Sequence, residues 1–440
     1  MVTTLSPLSV CAAYARLTRL LNVTSFFPLP RTAHSSPQVT PNEWRDYVLA
    51  AQPDVLVALS DTPFTPGSYS QKRMTKSIER SASWLANILR PLPGQHVSAG
   101  GTSHLLSVLV HMAGGITPTA RQAFSRSLLE PLFDKEAEAI KPLDNLDQGV
   151  AGYTFDLAPL HKSLSPDLPN TTIKNGLVPA IGLFSTPPGP SAIAQIISLI
   201  RTSLEPLPTT KPRIVHSAGS PHEILTLIRD VGIDLFDVHW AQRAADVGVA
   251  LDFAFPALPG IPGAAPHEIG HNFYDRRYSH DFSPFADALR SCVAEEGDKR
   301  PPCVCQACAP SRPGEPLKLS RVDEFASPVH APPPVPYTRA YVHHLLHTHE
   351  MSAHTLLTLH NLAVLDAFFA GVRRVLAERP PEAFSEEIAR FEQSYDGKLG
   401  VLAEARKDWT AVTLARGKGR MAREREKQQQ ETLGTAVELD

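Results

Sequence analysis

The sequence predicts an α/β fold, a (β/α)8 barrel interrupted by an inserted metal-binding subdomain, and three observations carry that expectation. Short apolar runs alternate with helical patterns from about residue 50 to residue 256. No GxGxxG or GxxxxGK(S/T) string follows any of those runs, which disfavours dinucleotide-binding and P-loop folds. Cys303, Cys305 and Cys308 then fall within one short stretch, at a spacing that suits a metal loop.

The expected strands are Val55–Leu59, Leu105–Val110, Gly152–Asp156, Leu177–Phe184, Arg213–Ser217, Leu235–Trp240 and Val249–Phe255. Each is rich in apolar residues and bounded by Gly, Pro, Asp or Ser, as buried parallel strands are. Helices are expected between them. Met74–Leu89 sets Ile78, Trp84, Leu85 and Ile88 on one face, and Ser191–Leu204 does the same with Ile193, Ile196, Ile197 and Ile200. Ser220-Pro221 reads as an N-cap followed by proline in the first turn. Two long helical patterns close the chain, His343–Ala377 and Glu382–Gln393, followed by a polar tail. The expected domains are a barrel over 1–290 with a lead-in over 1–48, a metal-binding subdomain over 291–376, and a C-terminal helix with a polar and basic tail over 377–440.

Composition narrows the class. With 42% hydrophobic and 20% charged residues, a large core can form and whole-chain disorder is excluded. The net charge of −3 provides no global basic field, so nucleic-acid contact must come from a local patch or a partner. Arg416–Lys427, with six basic and two acidic residues, is the one such run, and a solvated helix face is its expected reading. Proline is abundant, 41 of 440 residues, and eight of these fall in Ala309–Pro336, which reads as an inserted loop. No apolar run reaches the ~18 residues of a membrane span. The first acidic residue is Glu43, and Arg16, Arg19 and Arg31 precede it among Ser and Thr. That stretch superficially fits a mitochondrial transit peptide, but an acid-poor lead-in to the fold is the expected reading. A cytoplasmic protein is expected, with peripheral mitochondrial association as the alternative.

The cysteines carry the sharpest chemistry. Soft thiolates from Cys303, Cys305 and Cys308 chelate a tetrahedral zinc ion well, and a fourth ligand is needed. His343, His344, His347, His349, His354 and His360 are all available to supply it. A closed Cys3His set leaves no open position, so the site would be structural. Cys11 and Cys292 read as small hydrophobes.

Cys303-x-Cys305-x2-Cys308, the stretch YTRAYVHHL over Tyr337–Leu345, and Leu359-His360-Asn361 together resemble the zinc segment of the tRNA-guanine transglycosylase family. The resemblance implies zinc ligands Cys303, Cys305, Cys308 and His360, one ion per chain, with His343 and His344 as packing or helix-face residues. The Pro-rich insertion lengthens the loop after Cys308 without removing a ligand. Upstream, Val231–Asp237 resembles the family's G-x-D-x-F-D strand, Ser217–Pro221 its G-x-G-x-P turn, and Arg73–Leu85 its S-M-E-R-S-x-R-W helix. The similarity covers about residues 50–376 and implies a TIM-type barrel with an inserted zinc subdomain. The chain begins only about 50 residues before the Asp54 strand, so an N-terminal truncation is one reading.

The working parts depart from the family pattern. Asp237 stands where the family has its nucleophile, but His239–Arg243 follows instead of P-T-R. Ala113 replaces the base-reading Gln, Phe184 falls within the altered G-L-A/S-V-G-E stretch, and no D-S-G-G string occurs. The family's base-binding Asp falls on Ser60 or, shifted by one, on Asp61. Unpaired purine edges cost ~1–3 kcal/mol each, so Asp237 alone is a vestigial nucleophile. The resemblance is therefore to the family's eukaryotic accessory, non-catalytic subunits, which Asp246–Pro256 also resembles. It implies a heterodimer with a catalytic queuine tRNA-ribosyltransferase subunit that acts on tRNA. The competing expectation is a self-sufficient transglycosylase that uses Asp237.

Overall fold

The computed structural model describes residues 39–62, 69–91, 106–164, 189–257, 265–286, 303, 305–308 and 336–415. The chain forms two compact units, one of Met1–Leu183 with Pro188–Asp237, the other of Phe184–Pro187 with Val238–Asp440.

The first unit alternates helices and strands. In chain order they are α1 (Pro41–Ala51), β1 (Val55–Val57), α2 (Gln71–Leu89), β2 (Ser107–His111), α3 (Pro118–Leu129), α4 (Asp134–Ile140), β3 (Gly152–Asp156), α5 (Ala158–Leu164), α6 (Pro190–Leu204), β4 (Arg213–His216), α7 (Pro221–Val231) and β5 (Leu235–Phe236). The five strands make one sheet in the order β1-β2-β3-β4-β5, and every neighbouring pair is parallel. The α/β class and parallel sheet thus agree with the sequence reading. The expected strand Leu177–Phe184 lies outside the described residues.

Local chemistry sets the element ends. Ser70 caps α2 by accepting from the Arg73 amide, and Met74, Ser77, Ser81, Leu85 and Ile88 form its buried stripe. Ser220 caps α7 as its sequence suggests, and Gly232 ends that helix in the left-handed conformation, φ 73°. One face of the sheet is a dense apolar layer of Val108, Val110, Tyr153, Phe155 and Val215, each at most 3% exposed. The alternate residues His111, Thr154, Asp156 and His216 therefore share the other face.

The second unit contains α8 (His239–Asp246), the antiparallel pair β6 (Val249–Leu251) and β7 (Gly270–Asn272), then α9 (Arg339–His347), α10 (Met351–Glu378), α11 (Pro381–Ser394) and a helix α12 over 400–415. Three sequence expectations are corrected here. Trp240 is not in a strand: β5 stops at Phe236, and Trp240, Ala241, Ala244 and Ala245 form the buried stripe of α8. β7 adds an antiparallel strand that alternation alone did not indicate. His343–Ala377 is two helices, because His349 takes φ 61° and an α-helix cannot continue through it. Helix α12 also occupies part of the expected polar tail, whereas Arg416–Lys427 lies outside the described residues.

Helix α10, at 28 residues, is long and apolar enough by length and composition to cross a membrane. Its inward residues are core residues of this unit: Leu357, His360, Asn361, Val364, Leu365 and Phe368 are all buried. Phe253, Phe255, Phe368 and Phe391 pack nearby, with ring centroids 5.6–6.1 Å apart and mostly edge-to-face.

Candidate metal centre and strand-end polar row

Four side chains that are distant in sequence converge in the second unit. His360 projects from α10, while Cys303, Cys305 and Cys308 come from the loop. The ligand atoms of all four lie within 4.8 Å of one another. From His360 Nδ1 the three sulfurs stand at 3.5, 3.7 and 3.4 Å, in chain order. On the far side of the ring, Nε2 lies 2.9 Å from the Leu251 carbonyl. A carbonyl only accepts, so Nε2 carries the proton and Nδ1 presents its lone pair to the sulfurs. His360 is fully buried, and Phe285 meets its ring edge-to-face at 5.4 Å. These groups can hold one metal ion.

Asn361, the next residue, was quoted in the sequence only as part of a motif. Its carbonyl oxygen accepts from the Leu251 amide at 2.8 Å, and its amide donates to the Ala241 and Val249 carbonyls. It ties α10 to β6 and α8, and so sets the depth at which His360 sits. Hydrogen bonds from Cys305 and Cys308 push the Cys303 thiol down, while the bonds that Cys308 makes to Cys303 and Cys305 push it up. Metal binding needs the thiolate form, so an ion entering the cluster displaces the thiol protons that remain.

The other candidates are in the first unit. Asp237 follows β5, and its Oδ2 accepts from the Ser217 amide at 3.0 Å. Ser217 needs that support because it takes φ 63°. His216 Nδ1 is 3.8 Å from the same oxygen, beyond hydrogen-bond range. Asp61 is engaged by two arginines of α2. Arg73 holds it bidentately at 2.7 and 2.8 Å, and Arg80 adds a contact at 3.2 Å. Burial works to raise Asp61, but the hydrogen bonds from Arg73 and Arg80 overcome it and keep the carboxyl ionised. Ser60 bonds to Thr62 and approaches Ser81. Ala113 is 1% exposed and offers only a methyl group. Phe184 lies outside the described residues.

A polar row at the strand ends was missed from sequence. Asp156 pairs in register with His216 across β3 and β4, and His111 with Thr154 across β2 and β3. His111 Nδ1, His216 Nε2 and Thr154 Oγ1 are buried without a hydrogen-bond partner among the described residues. The available signal was a polar residue ending each apolar run. Burial, then the neighbouring His216 and Arg121, hold His111 down at about 4 against the pull of Asp156. Its folded pKa lies below its unfolded value of ~6.5. The unfolded chain therefore binds the proton first, and stability carried by neutral His111 is complete above about pH 6.5. That stability drains as pH falls toward 4, by up to ~3 kcal/mol. Urea titrations between pH 7 and pH 4.5 should show this slope, and His111→Asn should flatten it; an equal slope in both proteins would contradict the assignment.

Comparison with known proteins follows the metal geometry. The TGT family model, described as queuine tRNA-ribosyltransferase, matches residues 179–394, which include Asp237, the three loop cysteines and His360. Residues 179–394 thus resemble a TGT-family domain. Among its relatives, a protein of Schizosaccharomyces pombe named queuine tRNA-ribosyltransferase accessory subunit 2 is 24% identical over 371 residues, covering 83% of this chain and 58% of that protein. The proteins of the same name from Culex quinquefasciatus and Xenopus tropicalis are 24% and 26% identical, over 77% of this chain in each case and 59% and 66% of the relatives. The chain thus spans about three-fifths of the length of the first of these curated relatives. Ala113 and Asp61, where the family resemblance expects base recognition, lie outside the matched residues.

Proposed function

We propose that this chain is a non-catalytic accessory subunit of queuine tRNA-ribosyltransferase. It pairs with a catalytic paralogue that exchanges guanine for queuine at the tRNA wobble position. The observation that carries the reading is a retained zinc-type cluster in a chain whose expected base-reading positions are altered. Ala113 is a buried methyl, and Asp61 is engaged by Arg73 and Arg80. The names of the relatives support the same reading.

Zinc suits the cluster. Zn–S bonds of ~2.3 Å and Zn–N bonds of ~2.0 Å at tetrahedral angles separate N from S by about 3.5 Å. The separations of 3.4–3.7 Å around His360 Nδ1 match that value. One zinc ion per chain would cross-link the cysteine loop to α10 and, with its four positions filled, serve a structural purpose. The chain's own residues do the positioning: the Leu251 carbonyl fixes the His360 tautomer, and Asn361 fixes the helix against β6. For the first unit, strand order that follows chain order, with every neighbour parallel, supports a (β/α)8 barrel. We place the heterodimer in the cytoplasm, with peripheral mitochondrial association as the alternative.

The test is incorporation of labelled base into tRNA by each subunit alone and by both together. No exchange is expected from this chain alone, and robust exchange with the catalytic paralogue. Asp237→Ala should leave the activity of the mixed complex nearly unchanged. Exchange by this chain alone that disappears in Asp237→Ala would overturn the accessory reading in favour of a self-sufficient enzyme.

A further inference from the structure

Histidines four apart on a helix share a face, and α9 carries such a pair in His343 and His347. Their ring centroids are 4.2 Å apart, with an interplanar angle of 41°. Each ring has one nitrogen already engaged. His343 Nδ1 lies 2.8 Å from the Phe273 carbonyl, and His347 Nδ1 lies 2.9 Å from the His343 carbonyl. Both partners only accept, so each Nδ1 carries the proton and each Nε2 keeps a bare lone pair. This is the outer hydrogen bond that fixes the tautomer of a metal-ligating imidazole.

We propose that His343 and His347 form a second metal site, a bidentate and exchangeable one for a divalent transition ion such as Ni²⁺, Zn²⁺ or Cu²⁺. Borderline cations of this kind prefer neutral imidazole donors. Two imidazoles bound through Nε2 to one tetrahedral ion put their centroids about 5 Å apart, so the pair must splay by only about 1 Å. Their surroundings suit a cation. The Asp275 carboxylate acts on His343, and burial together with the neighbouring His347 keeps His343 below the usual histidine range. His347 is exposed, which leaves the face open to solvent for water ligands. Tyr274 packs edge-to-face on the His347 ring at 5.7 Å and limits its rotation. The site differs from the cysteine cluster in every respect that sets affinity. It offers two ligands rather than four, no thiolate, and water access, so its ion should exchange freely. It also sits at the last turn of α9, directly before the left-handed His349 where the chain bends into α10. A bound ion would staple that turn.

The experiment uses the full chain with its cysteine site loaded with zinc and excess ion removed. Ni²⁺ is titrated by calorimetry, and bound metals are counted by equilibrium dialysis. One additional Ni²⁺ per chain is expected while the zinc content stays constant. His347→Ala, an exposed substitution, should abolish that step, whereas His344→Ala should leave it in place. No Ni²⁺ step in the parent chain, or an undiminished step in His347→Ala, would overturn the proposal. Displacement of zinc in proportion to the nickel taken up would overturn it too, since the nickel would then be entering the cysteine cluster.

Discussion

A Cys305→Ser, His360→Ala double variant is expected to purify without zinc and to lose the fold around the cysteine loop. The three cysteines and His360 converge within 4.8 Å, and within the loop the Cys308 amide donates to the Cys305 sulfur at 3.3 Å. On the proposed reading, metal–ligand bonds would be the main link between the loop and α10. Structural zinc binding is worth about 10–16 kcal/mol in small zinc domains, and binding is coupled to ordering of the segment. Here only part of that energy reaches the unit, because the packing of Phe273, Phe285, Val342, Leu346 and Leu357 remains. A loss of several kcal/mol is expected, seen as a lower melting temperature and early proteolysis near Cys303–Cys308. Elemental analysis of the parent chain should give one zinc. A parent chain with none, or a double variant with a full complement, would sink the site.

Gly371→Ala is expected to destabilise the second unit by about 3–5 kcal/mol, although alanine is the better helix former. Gly371 lies inside α10. A β-carbon built there would stand 1.7 Å from the Phe255 carbonyl oxygen and 2.7 Å from its carbon. The obstacle is backbone, so no rotamer change relieves it. The helix or the Phe255 segment must shift by more than an ångström, and both are locked by the rings of Phe255, Phe368 and Phe391. Helix propensity alone predicts the opposite sign, a gain of about 1 kcal/mol. Thermal and urea unfolding of Gly371→Ala therefore discriminate between the two arguments by sign. A variant as stable as the parent would mean that α10 does not pack this closely on the Phe255 carbonyl.

Much of the first unit was legible because its signals are local. The runs that became β1, β2, β3 and β4 were each apolar, short and followed by a turn residue, and the Ser220 cap and Gly232 stop of α7 are both local chemistry. The errors came where the deciding interaction is distant. Trp240 extends an apolar run, and only its helical spacing with Ala241, Ala244 and Ala245, and its burial 5.9 Å from Phe253, put it in α8. The break at His349 carries no Gly or Pro. It is made by Thr348, whose hydroxyl bonds back to the His344 and Leu345 carbonyls, and by a return of the Glu350 amide to Leu345. β7 is three residues long and has no hydrophobic alternation to announce it.

By itself the sequence determined the chemistry of the metal cluster: three thiolates at close spacing, with histidines downstream, restrict the donor set whatever the fold. It also determined the substitution at Ala113, since a methyl group makes no hydrogen bond in any environment. Tertiary structure decided which of six histidines meets the cysteines, because only α10 turns His360 inward, with Leu251 and Asn361 setting its depth. It decided that Asp61 faces Arg73 and Arg80, and that Asp237 supports the Ser217 turn. It also brought His343 and His347 to a common face with their Nδ1 atoms engaged. A side chain's donor and acceptor atoms are written in the residue name, but which of them remain unoccupied depends on neighbours that the chain brings from far away, and a one-dimensional pattern does not contain that distance.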